Sequence, residues 1–352
     1  MGTIALLATS CSNNKKEVKN TELQDTFKYK TEQFADIKIL RYQIPGFNEL
    51  SLSQKKLLYY LSQAALCGRD IIYDQNFKFN LTIRRTLEAI VDKYKGDRKS
   101  EDFSKFMLYT KRVWFCNGIH HHYSSDKFLP EFSKEYFKEL VKNSPDGKFP
   151  LQKNETLDQL LDKIIPVMFD PALYAKRINL DASKDLITGS SCNFYENITQ
   201  KEVENYYEGI IDKKSDTPIS YGLNSKLVKE NGKIFEKTYK IGGLYSAALE
   251  KVVYWLEQAK TVAENENQKK AFEKLVEYYK TGDLKAWDAY NILWVEDMGS
   301  SIDYVNGFIE VYGDPLGMKA TWESVVNFKD KEATKRAETI SKNAQWFEDN
   351  SP

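Results

Sequence analysis

From about residue 50 onward, apolar residues return every three or four positions, the period of a helix with one buried face. Leu57, Leu58, Leu61, Ala65 and Leu66 form the first such stripe. Ser51 ahead of it is a capping residue, and Gly68 just past its end is a common stop. A second stripe, Ile83, Leu87, Ile90, Val91 and Tyr94, closes at Gly96. A third runs from about Asp102 through Phe103, Phe106, Met107 and Trp114 to Asn117-Gly118. Thr156 with Gln159, and Thr199 with Glu202, have the spacing of capping boxes ahead of amphipathic stretches, the first expected to end near Pro166. Helical spacing returns over 244–263, over 267–281 with Gly282 closing it, and over 284–297.

Two segments carry a period of two instead. Leu227 to Tyr239 is broken at Asn231-Gly232, a pair that takes positive φ at low cost and so predicts a tight hairpin turn. Asp303 to Tyr312 alternates apolar and polar residues, as a strand with one wet face does. The chain therefore reads as α+β, mainly helical, without internal repeats. Residues 12–30 are polar and lysine-rich and read as a leader.

Composition narrows the function classes. Hydrophobic residues make up 41% of the 352, enough to bury a sizeable core. Lys plus Arg (51) equal Asp plus Glu (51) and are interspersed, so no basic block offers itself to a run of phosphates, and nucleic-acid binding is not expected. Apart from the N-terminus, no apolar run approaches the roughly 20 residues that span a bilayer. The cysteines at 11, 67, 116 and 192 form no close pair, which excludes a zinc ribbon or dithiol site; Cys67 and Cys116 sit in apolar helical contexts that suit buried thiols. Cys11 differs, because a short apolar run ending in small residues precedes it and a polar tether follows. That is the form of a bacterial lipoprotein signal, with Cys11 lipidated and the protein tethered in the periplasm. The alternative is a cytoplasmic protein with an incidental cysteine.

Catalytic motifs are absent. All three histidines are consecutive, His120, His121 and His122, followed by Tyr123. A helical zinc site needs histidines one turn apart, and no His-Glu dipeptide occurs. Three adjacent rings point in different directions, which leaves a metal role, the polar lining of a cleft, or a packing loop. There is no G-x-S-x-G elbow, no phosphate-binding loop and no G-x-G-x-x-G. Asp303 and Glu310, flanking aromatics on the alternating segment, are placed to hold a cation such as a peptide's free amine; surface carboxylates beside core tyrosines fit the same pattern.

Several runs, taken in order, resemble the dipeptidyl peptidase III family in its Bacteroides-type form. They are Gln33-Phe34-Ala35-Asp36, Leu40 to Phe47, Asn117 to Tyr123, Ser220 to Ser225, Asn306 to Gly317, and Asn343 to Asp349. The likeness runs collinearly from about residue 28 to the end. The resemblance implies a zinc-dependent exopeptidase that releases dipeptides from the N-terminus of short peptides. Zinc in that family is held by an H-E-x-x-x-H helix and a later glutamate; neither has a counterpart here, so this chain is expected to bind no metal and to be inactive alone.

The family's architecture implies a lower lobe over 28–325 with a small, closed, barrel-like sheet at its core. It implies the start of an incomplete upper zinc lobe over 326–352, after a signal and leader over 1–27. Unpaired strand edges and an exposed apolar groove follow, with the missing C-terminal half as a partner. The resemblance also gives roles: Asp303 as the anchor for the substrate ammonium, in place of a longer glutamate, with Tyr304, Asn306 and Glu310 beside it. It puts His120, His121, His122 and Tyr123 on the substrate side of the cleft. The competing reading is a non-catalytic peptide- or glycan-binding lipoprotein, for which the aromatic content and missing catalytic motifs speak.

Overall fold

A computed structural model describes residues 27–351; Cys11 lies outside them. Residues up to Gln43 form one unit and those from Ile44 another. The first carries an antiparallel hairpin, β1 (Lys30–Phe34) and β2 (Ile37–Leu40), turned at Ala35 with φ 47°.

The second unit opens with α1 (Leu52–Cys67), where Ser51 and Gln54 cap each other reciprocally. Then come α2 (Arg69–Asn76), α3 (Asn80–Lys93), α4 (Glu101–Phe115), α5 (Lys134–Lys142) and α6 (Leu157–Phe169). α6 runs through Pro166 rather than ending there. The proline removes one bond to the carbonyl four residues back, but both Pro166 and Asp162 are on the exposed side of the helix, while Ile165, Val167 and Met168 stay buried. α3 to α6 enclose a core of their own that includes Phe106, Phe137 and Met168.

A three-stranded sheet follows. β3 (Tyr195–Glu196) pairs in parallel with β4 (Ser225–Glu230), which pairs antiparallel with β5 (Lys233–Thr238); α7 (Gln200–Ile210) lies between β3 and β4 in the chain. Asn231 and Gly232 take φ of 50° and 77°, as the Asn-Gly reading requires. The chain continues through α8 (Ser246–Lys260), α9 (Glu266–Thr281) and α10 (Leu284–Glu296) to an antiparallel pair, β6 (Ile302–Glu310) and β7 (Thr321–Phe328). β7 crosses residue 325, where the lower lobe was expected to end. Last come α11 (Lys331–Lys342) and α12 (Ala344–Asp349), which carry no buried residue and leave Ile340, Trp346 and Phe347 exposed.

The expected α+β, mainly helical class holds, but the barrel-like sheet does not. The described residues form separate sheets of two, three and two strands. A barrel needs a neighbour on both sides of every strand, and here only β4 has two. No other described strand closes the free edges of β6 and β7.

The largest core joins α1, α8, α9 and α10 to β6 and β7. Two contacts fix that strand pair. Gln75 of α2, fully buried, donates from Nε2 to the Ala320 carbonyl (3.0 Å) and accepts the Trp322 N–H (2.7 Å). Gly68, between α1 and α2, lies against the Trp322 indole, so closely that an added Cβ would sit 1.9 Å from Cε2. Gly68→Ala is therefore expected to destabilise the fold by about 1–3 kcal/mol through overpacking, read as a lower guanidinium midpoint at unchanged m.

Candidate functional site

Alternation along β6 places Asp303 on the exposed side and turns Tyr304, Asn306 and Phe308 inward. The Asp303 Oδ1 accepts the Trp294 Nε1–H (2.9 Å) and the backbone N–H of Tyr304 (2.8 Å). Its Oδ2 has no partner among the described residues. An indole and a backbone amide thus fix one carboxylate oxygen and leave the other for an incoming donor. Asp303 borders a cavity of about 330 Å³ with Trp294, Asp297 and Lys329. Asp297 is already engaged, by Asn265 Nδ2 (2.8 Å) and Ser300 Oγ (2.5 Å). A small cation seated here meets an oriented carboxylate, a group that suits an ammonium.

The neighbours assigned to this site are disposed differently from one another. Tyr304 borders the same cavity but is buried; its ring stacks on Phe272 at 4.8 Å, and burial pushes its hydroxyl pKa far up. Asn306 spends both ends of its amide inside the core, accepting from the Tyr279 hydroxyl (2.6 Å) and donating to Ser324 Oγ (3.1 Å). Glu310 is exposed, but seven residues from Asp303 it lies roughly 23 Å away along the strand. There its charge acts on Glu323, whose carboxyl pKa is raised by burial and then by the Glu310 charge.

The histidine loop is shaped by Asn80. Asn117 has φ 51° and Gly118 φ 145°, and a Cβ on Gly118 would lie 2.1 Å from the Asn80 amide nitrogen. That amide accepts the Ile119 N–H (3.1 Å) and donates to the carbonyls of Tyr73 (3.1 Å) and Asn117 (3.3 Å). His120 then turns inward, whereas the rings of His121 and His122 lie against each other with centroids 4.5 Å apart. His120 is buried edge-on to Phe77; its Nε2 donates to the Tyr174 carbonyl (2.8 Å), while its Nδ1 is buried without a partner. Burial lowers its pKa to about 4. His121 Nδ1 accepts the N–H groups of Tyr123 and Ser124, both at 3.2 Å. His122 Nδ1 lies 3.6 Å from Cys116 Sγ.

His122 and the exposed Tyr123 border a second cavity, about 1060 Å³, together with Arg177 and Tyr312. Because Tyr312 follows the far end of β6, the structure joins the histidine loop to that end and not to Asp303. Zinc does not fit these donors. Among the described residues no three His, Cys, Asp or Glu side chains converge on one point, so no step is derived through a metal. Sequence reasoning missed Trp294 as the partner of Asp303, although it stands only nine residues earlier. It also missed Arg177, which lies in an irregular stretch with no period to expose it.

Residues 181–352 match the model of peptidase family M49. This segment belongs to that family. The chain is 23% identical to dipeptidyl peptidase 3 of Dictyostelium discoideum over 328 residues, covering 86% of this chain and 45% of that protein. It is 24% identical to the human dipeptidyl peptidase 3 over 336 residues, covering 85% and 45%. Its fold is similar to that of DPP III from Caldithrix abyssi, with a TM-score of 0.55 at 18% identity, over 86% of this chain and 45% of that one. The chain thus spans about half the length of the relatives it matches. The family M49 segment contains Asp303, Trp294 and both strands of the β6–β7 pair, whereas the histidine loop lies before it.

Proposed function

We propose that this chain is the peptide-binding part of a dipeptidyl peptidase and grips the free N-terminus of a short peptide at Asp303. The observation that supports this reading most is the half-engaged carboxylate. One oxygen is fixed by Trp294 and the Tyr304 amide, and the other is left unpaired in an exposed side chain that borders a cavity of about 330 Å³. Among the described residues β6 pairs only with β7, so its other edge carries no strand and can take a peptide as one. Relatives named dipeptidyl peptidase 3 make a peptide amine the natural cation for such a site. The zinc that the resemblance implies for such enzymes finds no ligand set among the described residues, so the proposal covers binding and not bond cleavage.

Calorimetry with a tetrapeptide and its N-acetylated form tests it. The free amine should bind, and acetylation should weaken binding about tenfold or more, as loss of a charge-assisted hydrogen bond does. Asp303→Ala should remove the difference between the two peptides. Equal affinity for both forms in the unaltered chain, or glycan binding with no amine preference, would overturn the proposal.

A further inference from the structure

Three cations border the larger cavity: Lys176, Arg177 and Lys184. Two have carboxylate partners, Lys176 with Asp126 at 2.7 Å and Lys184 with Asp181 at 3.6 Å. Arg177 has none among the described residues. One terminal nitrogen donates to Asn76 Oδ1 (3.0 Å) and the other to the His122 carbonyl (3.3 Å); both acceptors are neutral. Its Nε–H is buried with no acceptor at all. Of the five N–H donors of a guanidinium, the protein therefore occupies only two. Arg84 provides the contrast within the same chain: buried where Arg177 is half-buried, it sits 2.9 Å from Asp70 and 3.4 Å from Glu88.

Arg177 is half-buried, and taking a permanent positive charge even partly out of water without a counter-ion is costly. Burial lowers the Arg177 pKa, and no carboxylate is among the groups that act in the opposite direction. The one carboxylate in the lining, Asp181, is paired with Lys184, so the cavity lining is net positive. Tyr312, 72% exposed, stands at the rim with a hydroxyl able to donate.

We infer that this cavity is an oxyanion site, in which the planar fork of Arg177 receives a carboxylate or a phosphate group. The planar fork matches two oxygens of either group. The volume of about 1060 Å³ has room for more than the anion alone, so a carboxylate carried on a short peptide or small organic acid fits as well as free phosphate. The inference stands apart from the amine site: Asp303 borders the other cavity, and either site can fail without the other.

The test uses the full 352-residue chain in chloride buffer of constant ionic strength. Titrate it by calorimetry with inorganic phosphate and with an N-acetylated dipeptide, once as the free acid and once as the amide. Acetylation removes the amine, so Asp303 contributes nothing to the signal. Saturable binding of the free acid, at least tenfold weaker for the amide, identifies a carboxylate ligand. Saturable binding of phosphate with a silent peptide identifies a phosphoryl or inorganic anion. Either should weaken at least tenfold in Arg177→Gln and remain unchanged in Lys335→Ala, on exposed α11. If Arg177→Gln loses its circular dichroism, Arg177→Lys keeps the charge without the fork and should bind several-fold more weakly. No saturable binding of any probe, or unaltered affinity in the Arg177 variant that folds, overturns the inference.

Discussion

Asp314→Ala should destabilise the protein by about 4 kcal/mol, measured as a drop in the urea midpoint, because it strips a buried carboxylate from four donors at once. Asp314 is 4% exposed. It accepts the Tyr195 hydroxyl at 2.8 Å and the N–H groups of Leu316, Met318 and Lys319 at 3.1, 2.9 and 2.9 Å. Tyr195 and Lys319 are buried, so their donors are left unpaired once the side chain is gone, whereas Leu316 and Met318 are half-buried. The damage extends to Lys319, whose ammonium is fully buried and held by the Tyr207 hydroxyl (2.7 Å), Ser225 Oγ (3.1 Å) and the Gly222 carbonyl (3.3 Å). Burial lowers its pKa to about 8, and the charges of Glu236 and Asp314 act against that shift. Removing one of the two leaves the ammonium less well compensated. Asp314→Asn keeps the shape and one acceptor, and should cost about half as much; equal losses for Ala and Asn would show that the hydrogen bonds are not what matters.

Acid should weaken the fold through His120. Its imidazole titrates near 4 in the folded chain because burial disfavours the cation, whereas in the unfolded chain it titrates near 6.5. The unfolded state thus takes up a proton first, so stability contributed by the neutral ring is full above pH 6.5 and is lost as pH falls through about 4. The whole span is worth about 3 kcal/mol. His120→Gln keeps a donor for the Tyr174 carbonyl but cannot titrate. It should be somewhat less stable at pH 7 and should lose less between pH 7 and 4.5 than the unaltered protein. Parallel urea midpoints for the two chains across that range would refute the assignment.

Local patterning made much of this fold legible. The helix from Leu52 and the hairpin at Asn231-Gly232 follow from a cap, a stripe and a turn pair, each of which acts over a few residues. What escaped depends on distant partners. α2 was hidden because Gly68 reads as a stop, yet its φ of −86° and ψ of −5° let the chain turn and go straight on into helix. β7 was hidden because its pattern is broken by Val325-Val326; Trp322 finds its place only against Gly68, far away in the chain. α6 outran Pro166 because three buried residues outweigh one missing backbone bond.

The site divides in the same way. Period-two alternation already implies that Asp303 and its neighbour Tyr304 face opposite sides, and that Asn306 goes with Tyr304. Grouping all of them around one ligand came from the resemblance and runs against that geometry. Three consecutive histidines were expected to diverge; His120 does, but the His121 and His122 rings pack together at 4.5 Å. The engagement of Asp303 by Trp294 is a tertiary contact that alternation alone does not announce, since it depends on how α10 approaches the strand.

The Gln75 side chain has a consequence for recognition. A slip of β7 by one position would turn Trp322 to the opposite face and unpair both atoms of a primary amide sealed from water. Such an error forfeits too much at once to be populated, so the ladder has a single permitted alignment. The carboxylate that faces the small cavity is thereby indexed by a residue more than 200 positions upstream. Substrate selectivity would then be adjustable from α2, by changes that never touch a ligand.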